Sequence, residues 1–197
     1  MNLGHPIAMG NTAELYLLDN KIVKLLNEDL PDTESSYEVK KQQFAYSSGL
    51  DVPEIYEITR FHGRQAIVME YVQGQTIGEL LLNNTKLAAH YFTICVDVQM
   101  RIHNIVVEPY SLEPMVEKLT RQIVSGGILS EVQTNELLRR LHSMKFEPRL
   151  CHGDFHPFNL ILGHERVTII DWVDASAGDI RADIYRSYLL ISQLSFN

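Results

Sequence analysis

Apolar residues follow two rhythms along this chain. Up to about residue 70 they come in short runs separated by turn-forming residues; beyond it they recur at helical spacing. Ala13-Glu14-Leu15-Tyr16-Leu17-Leu18 reads as a strand, Asp19-Asn20 as a turn and residues 21–26 as the returning strand. Pro31-Asp32-Thr33-Glu34 reads as the start of a helix that runs to about Ser47, where Gly49 ends it and Pro53 prevents its resumption. Residues 54–59 and 65–70 read as two more strands joined by Phe61-His62-Gly63-Arg64. The order strand, strand, helix, strand, strand describes a small antiparallel sheet with one helix packed on it.

After Glu70 the pattern changes. Residues 71–75 form a connector and 76–83 a short helix. Between Leu87 and Ile105 the positions Leu87, Tyr91, Ile94, Cys95, Val98 and Ile102 line one face of a buried amphipathic helix. Helices are expected near 111–124 and 130–144, short buried strands at 160–162 and 167–170, and a last helix at 180–192. No repeat, low-complexity tract or disordered linker interrupts this. The expectation is an α+β, two-lobed fold: a sheet-bearing lobe over 1–70, a hinge over 71–75 and a mainly helical lobe over 76–197, with a ligand in the cleft between lobes.

Composition narrows the partners. The chain has 197 residues, enough for one sizeable core or two small lobes, and its 45% apolar and 21% charged content is ordinary for a globular protein. A net charge of −8 argues against a nucleic-acid partner and leans towards a cationic small molecule. No apolar run is long enough to span a bilayer, so no membrane role is expected. The N-terminus lacks the blocks of a signal peptide. Cys95 and Cys151, far apart in apolar surroundings, read as reduced thiols of a cytoplasmic protein. Oligomeric state is not legible.

The chemistry concentrates in Cys151-His152-Gly153-Asp154-Phe155-His156-Pro157-Phe158-Asn159 and, after two apolar runs, Ile170-Asp171-Trp172. Polar groups on loops bounding buried strands are held by a rigid frame. Asp154 can accept a proton from a substrate hydroxyl. Asn159 offers a neutral oxygen, and Asp171 a charged one, to a magnesium ion that meets nucleotide phosphates. Asp154 also reads as a turn residue, and Asn159 as a backbone cap. Upstream, Lys24 shares a strand face with Ile22 and Leu26, where its charge needs a partner such as phosphate oxygens. Lys21 lies on the other face, in solvent.

His152-Gly153-Asp154-Phe155-His156-Pro157-Phe158-Asn159 followed by Ile170-Asp171-Trp172 resembles the aminoglycoside phosphotransferase and choline kinase-like family, small-molecule kinases with a protein-kinase-like fold. The resemblance spans about residues 8–192. It implies ATP and Mg2+ as cofactors, with Asp154 as catalytic base and Asn159 and Asp171 as metal ligands. Lys24 becomes the phosphate-contacting lysine, oriented by Glu38 on the following helix rather than by Glu34. Gly10-Asn11-Thr12 resembles a nucleotide-covering loop, and Met69-Glu70-Tyr71-Val72 a hinge whose Glu70 and Val72 backbone groups meet the adenine edge. His152 and His156 become scaffolding. From its place on the long helix, His103 reads as a satisfied core or edge histidine. Asp179 reads as a helix N-cap and Asp183 as structural.

Two departures stand out: Phe158 takes a place where a small residue is common, and members of the family usually carry further helices after the last one here, which help build the acceptor pocket. The implied function is transfer of the γ-phosphate of ATP to a hydroxyl of an aminoglycoside-, choline- or sugar-like acceptor. A kinase-like regulatory module without activity would lack the lysine, base or metal residues, and none is missing. A metal-dependent phosphohydrolase built on Asp154, His152, His156 and Asp171 would leave Lys24 and Glu38 without a role.

Overall fold

The elements follow the order β1 (Ala8–Met9), β2 (Ala13–Leu18), β3 (Lys21–Leu26), α1 (Glu34–Ser47), β4 (Ile55–Phe61), β5 (Arg64–Glu70), β6 (Gln75–Thr76), α2 (Ile77–Asn83), α3 (Ala88–His103), α4 (Met115–Ser125), α5 (Glu131–Ser143), β7 (Arg149–Cys151), β8 (Leu160–Leu162), β9 (Val167–Ile169), β10 (Ser176–Gly178) and α6 (Ile180–Gln193). They belong to a computed structural model that describes residues 3–193. The extreme ends of the two expected lobes, residues 1–2 and 194–197, lie outside that range. The described chain divides into two compact units: residues up to Tyr91 together with Pro157–Val173, and Phe92–His156 together with the chain from Asp174 onward. The hairpin that carries Asn159 and Asp171 therefore belongs with the front sheet.

In the first unit β1-β2-β3-β5-β4 form one antiparallel sheet. Both hairpins turn on two left-handed residues, Asp19-Asn20 (φ 48° and 59°) and His62-Gly63 (φ 50° and 86°). Such turns match the twist of the flanking strands. The second connection is thus shorter than the four residues expected, because the strands extend through Phe61 and from Arg64. The extra edge strand β1 is only two residues long, too short to show an alternation. Side-chain alternation sorts the core into two layers. Tyr16, Val23, Leu25 and Ala66 pack on one face of the sheet. Leu26, Ile67 and Met69 pack with Val39 of α1, and Ile22 beside them, on the other.

The α1 helix buries an unusually polar face: Ser35, Glu38, Val39, Gln42 and Ala45. Each polar group there has a partner, which makes its burial tolerable. The Gln65 side chain accepts from Ser35 N (3.2 Å) and Oγ (2.9 Å), and Gln42 donates to the Pro53 carbonyl (2.7 Å). Thr33, at the N-cap, makes no side-chain capping bond, so a strand residue does the work the local sequence leaves undone. A second sheet, β6-β8-β9, packs with α2, whose start is closed by a Thr76–Glu79 capping box.

The second unit contains α4–α6, most of α3 and the β7–β10 ribbon, in which Cys151 faces Ser176. Asp179 caps α6 by accepting from Arg181 N (2.9 Å). No helix of the described residues is long and apolar enough to cross a membrane. Cys95 and Cys151 are free and buried, and burial raises the Cys95 thiol to about 12.

Candidate active site

Lys24 is the electrostatic centre of the first unit. Alternation along β3 points it to the α1 side, and it is only 8% exposed. Its ammonium lies 2.5 Å from Glu38 Oε1 and 3.2 Å from Asp171 Oδ1. Burial alone would lower the lysine pKa; the Glu38 and Asp171 carboxylates outweigh it and hold the group above its usual value. Burial also pushes the Glu38 carboxyl up, against the pull of Lys24. Glu34, the competing carboxylate, makes no hydrogen bond to Lys24 among the described residues. Lys41, one turn beyond Glu38, donates to the carbonyl of Val173, which ties α1 to the segment carrying Asp171.

Asn159 and Asp171 sit at the same end of one hairpin. Leu160 of β8 faces Ile169 of β9, so the residues just before and just after those strands are neighbours. The Ile170 N–H donates to the Asn159 carbonyl (3.0 Å). Trp172, fully buried, donates its indole N–H to Ile169 O (3.2 Å) and fixes the far side of Asp171. Asp171 is left-handed (φ 63°), a conformation that Asp tolerates better than most residues. Its Oδ2 makes no hydrogen bond among the described residues. Asn159 is 7% exposed. An amide oxygen and a carboxylate with an open oxygen are hard donors. They fit magnesium and offer nothing to a soft transition metal.

Phe158, the residue that departs from the family pattern, is accommodated by a glycine. A Cβ on Gly78 of α2 would lie 2.4 Å from the Phe158 ring. Gly10, Asn11 and Thr12 form the exposed connection from β1 to β2. It is braced by Asn27 N to Thr12 O (2.9 Å) and Asn27 Nδ2 to Asn11 O (3.0 Å). Glu70 ends β5; its N–H is committed to Glu54 O (2.9 Å) and its carboxylate to Arg166 (2.7 Å). Val72 lies half-buried in the connector that follows.

Asp154 belongs to the second unit. Its N–H donates to His152 Nδ1 (3.3 Å), and its carboxylate oxygens lie 3.5 Å from His156 Nε2 and 3.8 Å from Arg186 Nη2. The His156 imidazole, then the Arg186 guanidinium, hold the carboxyl below its usual range against the opposing effect of burial. The loop backbone is anchored by Asp183, 2% exposed, which accepts from Gly153 N (2.8 Å) and His152 N (3.3 Å). Burial would raise Asp183, but His103, 2.9 Å away, and the Gly153 N–H bring it below the ordinary value. Gly153 is left-handed (φ 80°), and a Cβ there would strike the Asp174 carbonyl at 2.3 Å.

His103, Cys151 and Asp183 are the ligand-capable cluster among the described residues, with atoms within 4.8 Å of one another. Both Asp183 oxygens are already hydrogen-bonded, and burial pushes the Cys151 thiol up, so the cluster acts as a brace. It includes neither His152 nor His156.

The sequence reading missed Arg186 and Lys118. Lys118 donates to the carbonyl and the carboxylate of Asp174, both at 2.6 Å, and Arg186 reaches the other Asp174 oxygen at 3.2 Å. Both sit on helices whose local pattern gives no sign of these long-range partners. Asp174 itself stood in the sequence as an unassigned acid three residues past Asp171.

A sequence model described as "phosphotransferase enzyme family" matches residues 4–194. Among solved structures, the chain is similar to an aminoglycoside phosphotransferase, APH(4)-Ia, in ternary complex with ADP and hygromycin B. The TM-score is 0.69 at 14% identity, covering 98% of this chain and 73% of that one. It is similar to an amicoumacin kinase, hAmiN, in complex with AMP-PNP, Ca2+ and Ami (TM-score 0.66, 14% identity, 98% and 65% covered). It is also similar to a choline/ethanolamine kinase family protein from Mesorhizobium loti (0.65, 14%, 98% and 66%). These likenesses establish a kinase-like α+β fold. No curated protein matches the chain.

Proposed function

The chain belongs to the phosphotransferase enzyme family, and from that premise we propose that it transfers the γ-phosphoryl group of ATP to a hydroxyl of a small molecule. The observation that carries this reading is the meeting of Lys24 with both Glu38 and Asp171, residues 14 and 147 positions away in sequence. A lysine held charged beside a half-exposed carboxylate with an open oxygen is suited to phosphate and metal together. Neighbours that bind ADP, or AMP-PNP with Ca2+, support a nucleotide and a divalent cation here.

In this scheme Lys24 contacts the nucleotide phosphates and Glu38 fixes its direction. The Gly10-Asn11-Thr12 connection covers the phosphates with small, exposed residues. The Glu70 carbonyl and the Val72 N–H meet the adenine edge, while the Glu70 N–H is committed to Glu54 O. Mg2+, held by Asn159 and Asp171, would neutralise charge on the phosphate oxygens. The acceptor oxygen forms a bond to the γ-phosphorus as the bond from that phosphorus to the β–γ bridging oxygen breaks and ADP leaves. The hydroxyl proton passes to the Asp154 carboxylate. The depressed pKa of Asp154 keeps it ionised and ready to accept, and it favours a role in orienting the hydroxyl over deep proton abstraction.

Radiolabel transfer from ATP to aminoglycosides, choline, ethanolamine and sugars, paired with calorimetry of Mg-ATP binding, tests the scheme. Asp154→Asn should lower kcat by roughly 10²- to 10⁴-fold while keeping Mg-ATP binding. Retention of more than half the turnover refutes the role of Asp154. Asp171→Ala should abolish magnesium-dependent binding; an unchanged isotherm refutes the metal assignment.

A further inference from the structure

The surroundings of Asp154 carry information about the acceptor. In the second unit every carboxylate of the segment from 154 to 183 has a basic side chain as a neighbour. Asp154 has His156 and Arg186, Asp174 has Lys118 and Arg186, Asp179 has Arg181 and Asp183 has His103. Arg186 differs from Lys118 and from Arg181, which spends its Nε and Nη2 on Asp179. Lys118 is nearly buried (12% exposed) and spent on Asp174, whereas the Arg186 side chain is half exposed. Its nearest approach to both Asp174 and Asp154 is through Nη2. Its Nε and Nη1 make no hydrogen bond among the described residues. A guanidinium presents its donors as a planar fork that matches carboxylate and phosphate oxygens. Here the fork is steadied by Asp174, which Lys118 pins in turn, and it opens beside the side chain proposed to receive the hydroxyl proton.

We propose that the acceptor is an anionic alcohol, a hydroxyl compound bearing a carboxylate or a phosphate, and that Arg186 binds its anionic group. This rests on the kinase reading above and adds the substrate class to it. The whole-chain charge of −8 leaned towards a cationic acceptor, but the local balance governs: a cation beside Asp154 meets the Arg186 charge, while an anion meets unspent donors. Arg186 is a specificity determinant in this scheme, set next to the reacting hydroxyl by Asp174.

Two matched series test this: glucuronate, glucose 6-phosphate, glucose and glucosamine; and glycerate, glycerol 3-phosphate, glycerol and 3-aminopropane-1,2-diol. Each compound is titrated calorimetrically into the protein saturated with Mg-AMP-PNP and assayed for radiolabel transfer from ATP. The anionic members should bind about 10- to 100-fold more tightly than their neutral partners, the range expected of charge-assisted hydrogen bonds. The carboxylate and phosphate arms show which anion is used. Arg186→Gln should shrink that ratio, chiefly through KM, and Arg186→Glu should invert it in favour of the amines. Preference for the amine in the wild type overturns the inference, as does an Arg186→Gln effect equal for all members of a series. So does failure of every anionic member to bind a protein that does bind Mg-AMP-PNP. Failure to bind Mg-AMP-PNP at all removes the kinase reading itself and the inference with it.

Discussion

Placing a single methyl group on Gly78 would test how the Asn159 turn is held. The Cβ of Gly78→Ala would fall 2.4, 2.5 and 2.6 Å from three carbons of the Phe158 ring. Those separations are far inside van der Waals contact, so the ring must move. Two effects oppose each other. Alanine favours the helix over glycine by about 1 kcal/mol. Overpacking costs about 1–3 kcal/mol. The net in the wild-type background is therefore between neutral and about 2 kcal/mol destabilising. With Phe158→Ala the obstruction is gone, and the same glycine change should stabilise by about 1 kcal/mol. The coupling between the two sites is then about 1–3 kcal/mol. Urea unfolding of the four proteins measures it, provided the slope of the transition stays constant. Because Phe158 directly precedes Asn159, Gly78→Ala should also weaken Mg-ATP binding by calorimetry. Equal stabilisation by Gly78→Ala in both backgrounds refutes the contact between ring and glycine.

Lys24→Met should destabilise by about 3–5 kcal/mol in urea unfolding, because Glu38 is left buried beside Asp171 with no cation; a loss below about 1 kcal/mol refutes the pairing. Gly153→Ala adds a left-handed penalty of about 1–2 kcal/mol to a backbone collision, so its thermal midpoint should drop sharply, and an unchanged midpoint contradicts the packing. Asp183 titrates below its unfolded value. Its stabilisation is therefore fully present above the unfolded pKa and lost as pH falls through the folded one. The stability gap between wild type and Asp183→Asn should accordingly be constant near neutrality and close only below about pH 4. His156→Ala removes the main influence that depresses Asp154, so the acid limb of the kcat/KM profile should move to higher pH; a fixed limb argues that another group controls it.

Much of this was legible locally. The hairpin around Asp19-Asn20 is announced by its turn residues and its alternation. That alternation alone places Lys24 with Ile22 and Leu26, facing α1. Helix ends at Gly49 and before Pro53 follow from backbone chemistry that needs no partner. The strands β7 and β10 were not legible, because Arg149-Leu150-Cys151 and Ser176-Ala177-Gly178 lack the contiguous apolar run that marks 160–162 and 167–170. The polar face of α1 also defeats a hydrophobic pattern, since Ser35, Glu38 and Gln42 are buried only because Gln65, Lys24 and Pro53 meet them from elsewhere. Arg186 was invisible for the same reason: its meaning lies in Asp154 and Asp174, 32 and 12 residues earlier in the chain. Phe158 could be recognised as unusual, but its counterpart Gly78 could not be identified until the turn and α2 were seen together.

The β8–β9 hairpin keeps both proposed magnesium donors at one end and a solvent-facing bend at the other. Gly163 N meets Arg166 O at 3.0 Å across that bend, and residues 164–166 are exposed. The bend is thus a natural port for engineering. A peptide tag or a fluorophore spliced between His164 and Glu165 would leave the strand register intact, and with it the spacing of the oxygen donors. It would ride next to Arg166, whose guanidinium is joined to Glu70, and so would report optically on the proposed nucleotide contact at Glu70–Val72.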